Sequence, residues 1–477
     1  MNQHTEPPNF VPSGDMPIAF RPFGMRCFGN RQGFALSFIM AHSAPTTDSA
    51  AASASAAAFS TIPIPNKIQT YEPPKWTQDI LEHSPQIKLS LANLPTPLYK
   101  LQPSPLSTLS MDDKPSILQS LTDLGVTLYI KRDDMTGGVE QGGNKLRKLE
   151  FLMADALQKE CSAVVTIGGE QSNHCRATAS VARTIGMDPH LILRTRRADA
   201  VHEEEENFGS VGNVLFDRMV GSKIYTITPG EYGRVGSLDL VERVCSHLSS
   251  TSTTERPVKP YAIPVGGSNG LGSWGYINGV EELLDQWKGM KTSNGSTISL
   301  DHVVFACGSG GTAAGITLGM ALARSSKPKV HAIGVCDHPD YFYEHVSKIA
   351  DEMGLVLPSY LSTEDFIREH MTAHQGKGRG YASSTAEELE FIARFALETG
   401  IALDPVYSGK ALCHFINHAV YEDPESFRDQ NILLWHTGGA LGLYDKEDAL
   451  CSTFRDISPV SRLDVYGKEK GGGAISI

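Results

Sequence analysis

Phe305-Ala306-Cys307-Gly308-Ser309-Gly310-Gly311-Thr312-Ala313-Ala314-Gly315 runs without a break from an apolar stretch through a Gly/Ser/Thr turn into a small-residue helix start. A short apolar run bounded by such a turn predicts a strand buried on both faces, the setting of a parallel sheet covered by helices. A glycine turn at the carboxyl end of that strand offers backbone N–H groups and hydroxyls to an anion. The turn is not G-x-x-x-x-G-K-[ST], nor a clean G-x-G-x-x-G fingerprint, so a monophosphate suits it better than a nucleoside triphosphate or a dinucleotide.

The same rhythm repeats along the chain. Apolar runs predict strands over Leu128–Lys131, Ala163–Ile167, His190–Arg194, Lys223–Ile227, Tyr261–Pro264, His302–Ala306, Val330–Val335 and Ile432–Trp435. Helical patterns fall between them at Leu146–Lys159, His174–Thr184, Leu271–Trp287 and Ala386–Glu398, which makes the class α/β. Ser249–Thr254, Thr292–Thr297 and the glutamate-rich His202–Asn207 are expected as surface loops, and the Gly-rich tail over 466–477 as flexible. There is no internal repeat.

At 477 residues, 40% hydrophobic and 20% charged, the chain is an ordinary globular protein of more than one domain. A net charge of −12 repels phosphate backbones and anionic lipid, so neither nucleic acid nor membrane is an expected partner. Eight scattered cysteines without a C-x-x-C pair suit a reduced compartment, and no ligand cluster points to a metal. Met16–Thr47 contains no Asp or Glu, spaces Arg21, Arg26 and Arg31 evenly, and leads into an Ala/Ser tract. Residues 1–62 are therefore expected to be a mitochondrial transit peptide, with a chloroplast leader, a secretory signal or a plain tail as alternatives.

Two further stretches carry chemistry. In Gly142-Gly143-Asn144-Lys145-Leu146-Arg147-Lys148-Leu149-Glu150 a glycine turn hands over to a helix, with lysines at i and i+3. A partly desolvated lysine can lose its proton and form a Schiff base, although the three basic residues also suit the solvated face of an amphipathic helix. Gly168-Gly169-Glu170-Gln171-Ser172-Asn173-His174 again ends a strand and opens a helix, where Ser172 or Asn173 can contact a ligand or cap the helix.

Together with Asp404-Pro405-Val406-Tyr407-Ser408-Gly409-Lys410, these motifs resemble the pyridoxal-phosphate enzymes of the tryptophan-synthase β type, and within them the D-cysteine desulfhydrase and 1-aminocyclopropane-1-carboxylate deaminase group. The likeness runs from about Asn93 to about Asp464. It implies the fold-type-II architecture, with a large domain from 63–149 plus 266–465, a small α/β domain from 150–265, and pyridoxal 5'-phosphate in the cleft between them. It also implies that Lys145 holds the cofactor and acts as base at Cα. By the same likeness Lys148 and Gly308, Ser309, Gly310, Gly311 and Thr312 bind the phosphate, and Asn173 the phenolic oxygen. Ser172 faces the substrate carboxylate or moves a proton, and Tyr381 and Tyr407 match the group's two active-site tyrosines. The substrate is a small amino acid, and a homodimer is the family expectation.

Two positions bear on the reaction. Deaminases of the group resemble one another in a glutamate after the second tyrosine and a leucine in a later His-x-Gly-Gly segment. This chain has Ser408 and Thr437, as desulfhydrases do. A carboxylate beside the pyridine nitrogen makes a strong electron sink, which ring opening needs, whereas expelling a thiolate needs less. β-Elimination of D-cysteine is therefore the expected activity, the D-configuration resting on the family likeness. Ring-opening deamination and a non-catalytic carrier of pyridoxal phosphate are the alternatives. Departures from the family pattern are Gly137-Gly138-Val139-Glu140-Gln141 and the acid Glu170, which is expected near the cofactor edge. His174 and His436 are further candidate proton donors, with a structural role the commoner fate of such histidines.

Overall fold

The computed structural model describes residues 67–103, 115–200, 208–253, 257–292, 294–323, 328–357, 362–446, 448–451, 458, 462–464 and 474–476. The expected leader and the glutamate run His202–Asn207 lie outside them. In chain order the strands are β1 (Gln69–Thr70), β2 (Ile87–Lys88), β3 (Leu98–Lys100), β4 (Thr127–Arg132), β5 (Ala163–Gly169), β6 (Asp188–Arg194), β7 (Lys223–Ile227), β8 (Pro260–Ala262), β9 (His302–Cys307), β10 (Lys329–Gly334), β11 (Thr372–Gln375), β12 (Asn431–His436), β13 (Arg462–Asp464) and β14 (Ala474–Ser476).

Six strands form one sheet in the order β11-β10-β9-β12-β4-β3, parallel except for the antiparallel edge pair β3/β4. Four more form a parallel sheet in the order β7-β6-β5-β8. All six residues of β9 are buried, as a strand covered on both faces must be. The helix Gly270–Lys288 packs against both Lys145–Gln158 and Gly311–Leu322. Glycine permits the close approach: a Cβ on Gly315 would lie 2.4 Å from that of Tyr276, and one on Gly275 would lie 2.4 Å from the Arg147 carbonyl oxygen.

Each predicted strand and helix is present, Lys223–Ile227 with the expected bounds and the others with shifted ends. The strand at Tyr261–Pro264 shifts to Pro260–Ala262, and Pro264 has no N–H with which to extend the ladder. The loop expected at Ser249–Thr254 is corrected: Ser249–Thr251 complete the helix Ser237–Thr251, with Ser249 and Thr251 hydroxyls donating back to the Cys245 and His247 carbonyls. The tail is corrected in part, because Ala474–Ser476 pairs in parallel with β13.

Arg147 and Lys148 are also not a solvated face, being 1% exposed each. Arg147 donates to both Asp133 carboxylate oxygens at 2.8 Å and to Glu282 at 3.0 Å, while Lys131 pairs with Glu282. Burial alone would raise the Asp133 carboxyl, but Arg147 and Lys131 outweigh it and bring it down to about 2. This ion cluster anchors the first turn of the lysine-bearing helix.

Candidate active site

A cavity of about 650 Å³ opens where the carboxyl ends of strands from both sheets meet the helix starts that follow them. Lys145, Ser172, Asn173, Tyr381, Tyr407 and Thr437 line it. So do Gly308, Ser309, Gly310 and Thr312 of the turn after β9. The remaining expected site residues lie one bond further back. Lys148 donates to the Gly266 carbonyl at 3.1 Å and to Ser268 Oγ at 3.2 Å, and Ser268 Oγ also accepts from the Gly311 N–H at 3.1 Å. Ser408 lies behind Thr437, their hydroxyls 3.3 Å apart.

Two glycine turns set the position of Lys145. Asn144 N–H donates to the Thr437 carbonyl at 3.0 Å, and a Cβ on Gly438, whose φ is +87°, would lie 2.8 Å from Gly143 Cα. Only glycines let these backbones touch. Burial pushes the Lys145 amine down to about 8, Cys307 opposing weakly, so a neutral nucleophile is within reach near neutral pH. Lys148 is driven well below its ordinary range by burial and by Lys145. Its hydrogen-bond partners are neutral oxygens, and no carboxylate among the described residues forms an ion pair with it.

These features fit pyridoxal phosphate. A buried lysine amine beside a glycine turn and the start of the helix Gly311–Leu322 would be protonated and paired by a phosphate dianion. Asn173 Oδ1 is buried without a hydrogen-bond partner, an acceptor that a ligand hydroxyl would satisfy. Asn144 Nδ2 donates to Thr312 Oγ1 at 3.0 Å, joining the lysine turn to the phosphate turn.

Ser172 does both jobs open to it: it lines the cavity, and its Oγ caps the helix Asn173–Thr184 by accepting from Cys175 N–H at 3.2 Å. Tyr381 and Tyr407 meet hydroxyl to hydroxyl at 2.7 Å. Burial raises both, Tyr407 well above the ordinary phenol range, while its bond to Tyr407 and the charge of Arg194 pull Tyr381 back. Asp404 holds the tyrosine turn by accepting the N–H groups of Val406, Tyr407 and Ser408 at 3.0, 2.8 and 2.7 Å. His436 Nδ1 lies 3.0 Å from Ser408 Oγ, and burial lowers its pKa against the opposing charge of Asp134, 3.8 Å from Nε2, so the Ser408, His436 and Thr437 side chains are themselves uncharged while the Asp134 and Asp404 carboxylates stand behind them. His174 is buried on Thr166 at 2.9 Å and its pKa is likewise depressed by burial.

Glu170 is not in the cavity wall. Its carboxylate accepts from Thr195 Oγ1 and Arg197, each at 2.5 Å. Ser268 and Arg194 were not singled out by the sequence reading, and both line the cavity. Ser268 had a signal, since Gly266-Gly267-Ser268-Asn269 repeats the glycine turn between β8 and a helix start. Arg194 had none beyond its place at the end of a strand.

A family model described as pyridoxal-phosphate dependent enzyme matches residues 90–438. The chain is 43% identical over 395 residues to the mitochondrial bifunctional D-cysteine desulfhydrase/1-aminocyclopropane-1-carboxylate deaminase of Arabidopsis thaliana, covering 83% of this chain and 88% of that one. It is 33% identical over 333 residues to the D-cysteine desulfhydrase of Serratia proteamaculans, covering 69% and 91%. Among solved structures, that of an ACC deaminase homologue aligns with a TM-score of 0.59 at 27% identity, covering 79% of this chain and 98% of that one. With the lysine turn, the phosphate turn and both sheets inside the matched span, the chain belongs to the pyridoxal-phosphate dependent enzymes of fold type II.

Proposed function

We propose that the chain is a carbon–sulfur lyase that eliminates sulfide from D-cysteine, releasing pyruvate, hydrogen sulfide and ammonia. The observation that carries this over ring opening is the neutral wall of Ser408, His436 and Thr437, where hydroxyls and an uncharged imidazole stand in place of a carboxylate. Pyridoxal phosphate, when bound, supplies the sink for the electron pair that develops at Cα. Lys148, Ser268 and the Gly308–Thr312 turn would hold its phosphate, and Asn173 its hydroxyl. The chain's own groups do the rest. The neutral Lys145 amine accepts the Cα proton. The start of the helix Asn173–Thr184, with Ser172, receives the substrate carboxylate on its unpaired N–H groups. The Tyr381–Tyr407 pair holds a proton at the leaving sulfur, and its raised pKa values keep that proton in place at neutral pH.

The bifunctional name of the Arabidopsis relative favours a second activity, ring opening of 1-aminocyclopropane-1-carboxylate to 2-oxobutanoate and ammonia. The two sheets support a division into 63–149 plus 266–465 and 150–265. The mitochondrial relative supports import through residues 1–62, and a homodimer is the assembly we propose.

Sulfide and pyruvate release should be measured from both cysteine enantiomers beside 2-oxobutanoate from the cyclopropane amino acid. D-cysteine should be turned over fastest. Borohydride reduction and peptide mapping should place the pyridoxyl adduct on Lys145. Yellow protein that released nothing from any of the three would instead be a cofactor carrier.

A further inference from the structure

Arg194 is the last residue of β6, its backbone paired to Gly169 on one side and Ile227 on the other, and its side chain lines the catalytic cavity. Its guanidinium carbon lies 4.7 Å from the Tyr232 ring centre and 5.9 Å from that of Tyr381. Rings near a guanidinium satisfy its face and leave its N–H edge available for an anion. Among the described residues no carboxylate reaches it. Glu170, the nearest acid in sequence, is taken by Thr195 and Arg197. Of the cavity's own acids, Glu352 accepts from Gly270 N–H and Asp337 from His338 N–H, and neither these nor Glu242 stands at ion-pair distance from Arg194.

The place of this cation decides what it recognises. Contacts run from Arg194 to Tyr381, from Tyr381 to Tyr407, and from the Tyr407 ring to Gly308, where a Cβ would lie at 3.2 Å. The phosphate turn has its own lysine, Lys148, tied to it through Ser268 and the Gly311 N–H, so the cofactor's phosphate does not require Arg194. Arg194 faces the tyrosines that hold a proton at the leaving group.

We propose that Arg194 lets this site take amino acids whose β-substituent ends in a strong oxyacid anion, in addition to cysteine. This rests on the β-elimination reading above. With S-sulfo-D-cysteine the Cα–H bond breaks and its proton goes to the site's base. The Cβ–S bond breaks with its electron pair leaving on thiosulfate. Water then replaces the nitrogen, so that substrate and water give pyruvate, ammonium, thiosulfate and one proton, with no oxidant or reductant. The guanidinium binds the sulfonate in the ground state and the growing charge as thiosulfate departs.

The test uses the cofactor-loaded enzyme, D-cysteine and S-sulfo-D-cysteine. Wild type should release thiosulfate and pyruvate in equal amounts. Arg194→Gln should lower kcat/KM for the sulfonate at least about tenfold more than for D-cysteine, and Arg194→Lys should restore part of the difference. Thiosulfate alone, titrated calorimetrically into the loaded enzyme, should bind about tenfold more weakly to Arg194→Gln. Pyruvate from D-cysteine but none from the sulfonate, equal losses on both, or unchanged thiosulfate affinity would overturn the proposal. Silence on D-cysteine would count against the elimination reading instead, and the thiosulfate titration would still decide Arg194.

Discussion

Two groups of basic side chains meet around the lysine-bearing helix and its cavity and serve opposite ends. Arg147, Asp133, Lys131 and Glu282 form a closed set in which every cation has its carboxylate. Lys145 and Lys148, two residues before and one after Arg147, and Arg194 across the cavity have none among the described residues. Without a counter-ion, burial pushes the Lys145 and Lys148 amines toward their neutral form, and half-buried Arg194 keeps an unpaired charge. The first set therefore locates the helix, and the second marks where negative or electrophilic ligands belong. Pairing, more than burial, separates scaffold from site.

The contrast can be broken most sharply at Lys145. Lys145→Ala should reduce turnover by at least ~10³-fold and remove the visible cofactor band while leaving the fold intact, measured by absorbance and circular dichroism. On the paired side, Asp133→Ala strands Arg147 and should cost roughly 3 to 5 kcal/mol of stability, read from urea unfolding. A loss below about 1 kcal/mol would show that the set does not anchor the helix.

Acid–base behaviour sharpens the same comparison. A lysine whose pKa is lowered holds its reactive neutral form above that pKa and loses it as pH falls through it. In cofactor-free protein, Lys145 acetylation followed by mass spectrometry should therefore titrate with a midpoint near pH 8, making it on the order of a hundred times more reactive at that pH than an ordinary lysine. A midpoint above 10 would remove the argument from burial. The smallest expected effect is on selectivity. Ser408→Glu with Thr437→Leu should move the ratio of deaminase to desulfhydrase activity upward by roughly tenfold. An unchanged ratio would mean that the neutral wall does not choose the reaction.

Much of this was legible from local patterns. His302–Ala306 reads as a buried strand because the apolar run after its histidine leaves no polar face, and the turns at Gly142, Gly168 and Gly308 announce themselves because glycine turns that open helices are local in sequence. The run Ser249–Thr251 misled because its hydroxyls suit a loop and the end of a helix equally well, and only the carbonyls one turn earlier decide. Arg147 and Lys148 were ambiguous for a related reason. Charge on a helix reads as exposure until the partner that buries it is known; for Arg147, Asp133 and Glu282 are 14 and 135 residues away, and for Lys148, Gly266 and Ser268 are 118 and 120.

The sequence by itself determined the α/β class, the lysine and phosphate turns and the family, since each depends on residues adjacent in the chain. Tertiary structure alone decided which charges are satisfied. It consumed Glu170 on Arg197, left Arg194 facing the cavity, set Lys148 on neutral oxygens and brought Tyr381 to Tyr407. Those outcomes depend on distances across the fold, and electrostatic and hydrogen-bond energies follow distance in space rather than separation along the chain.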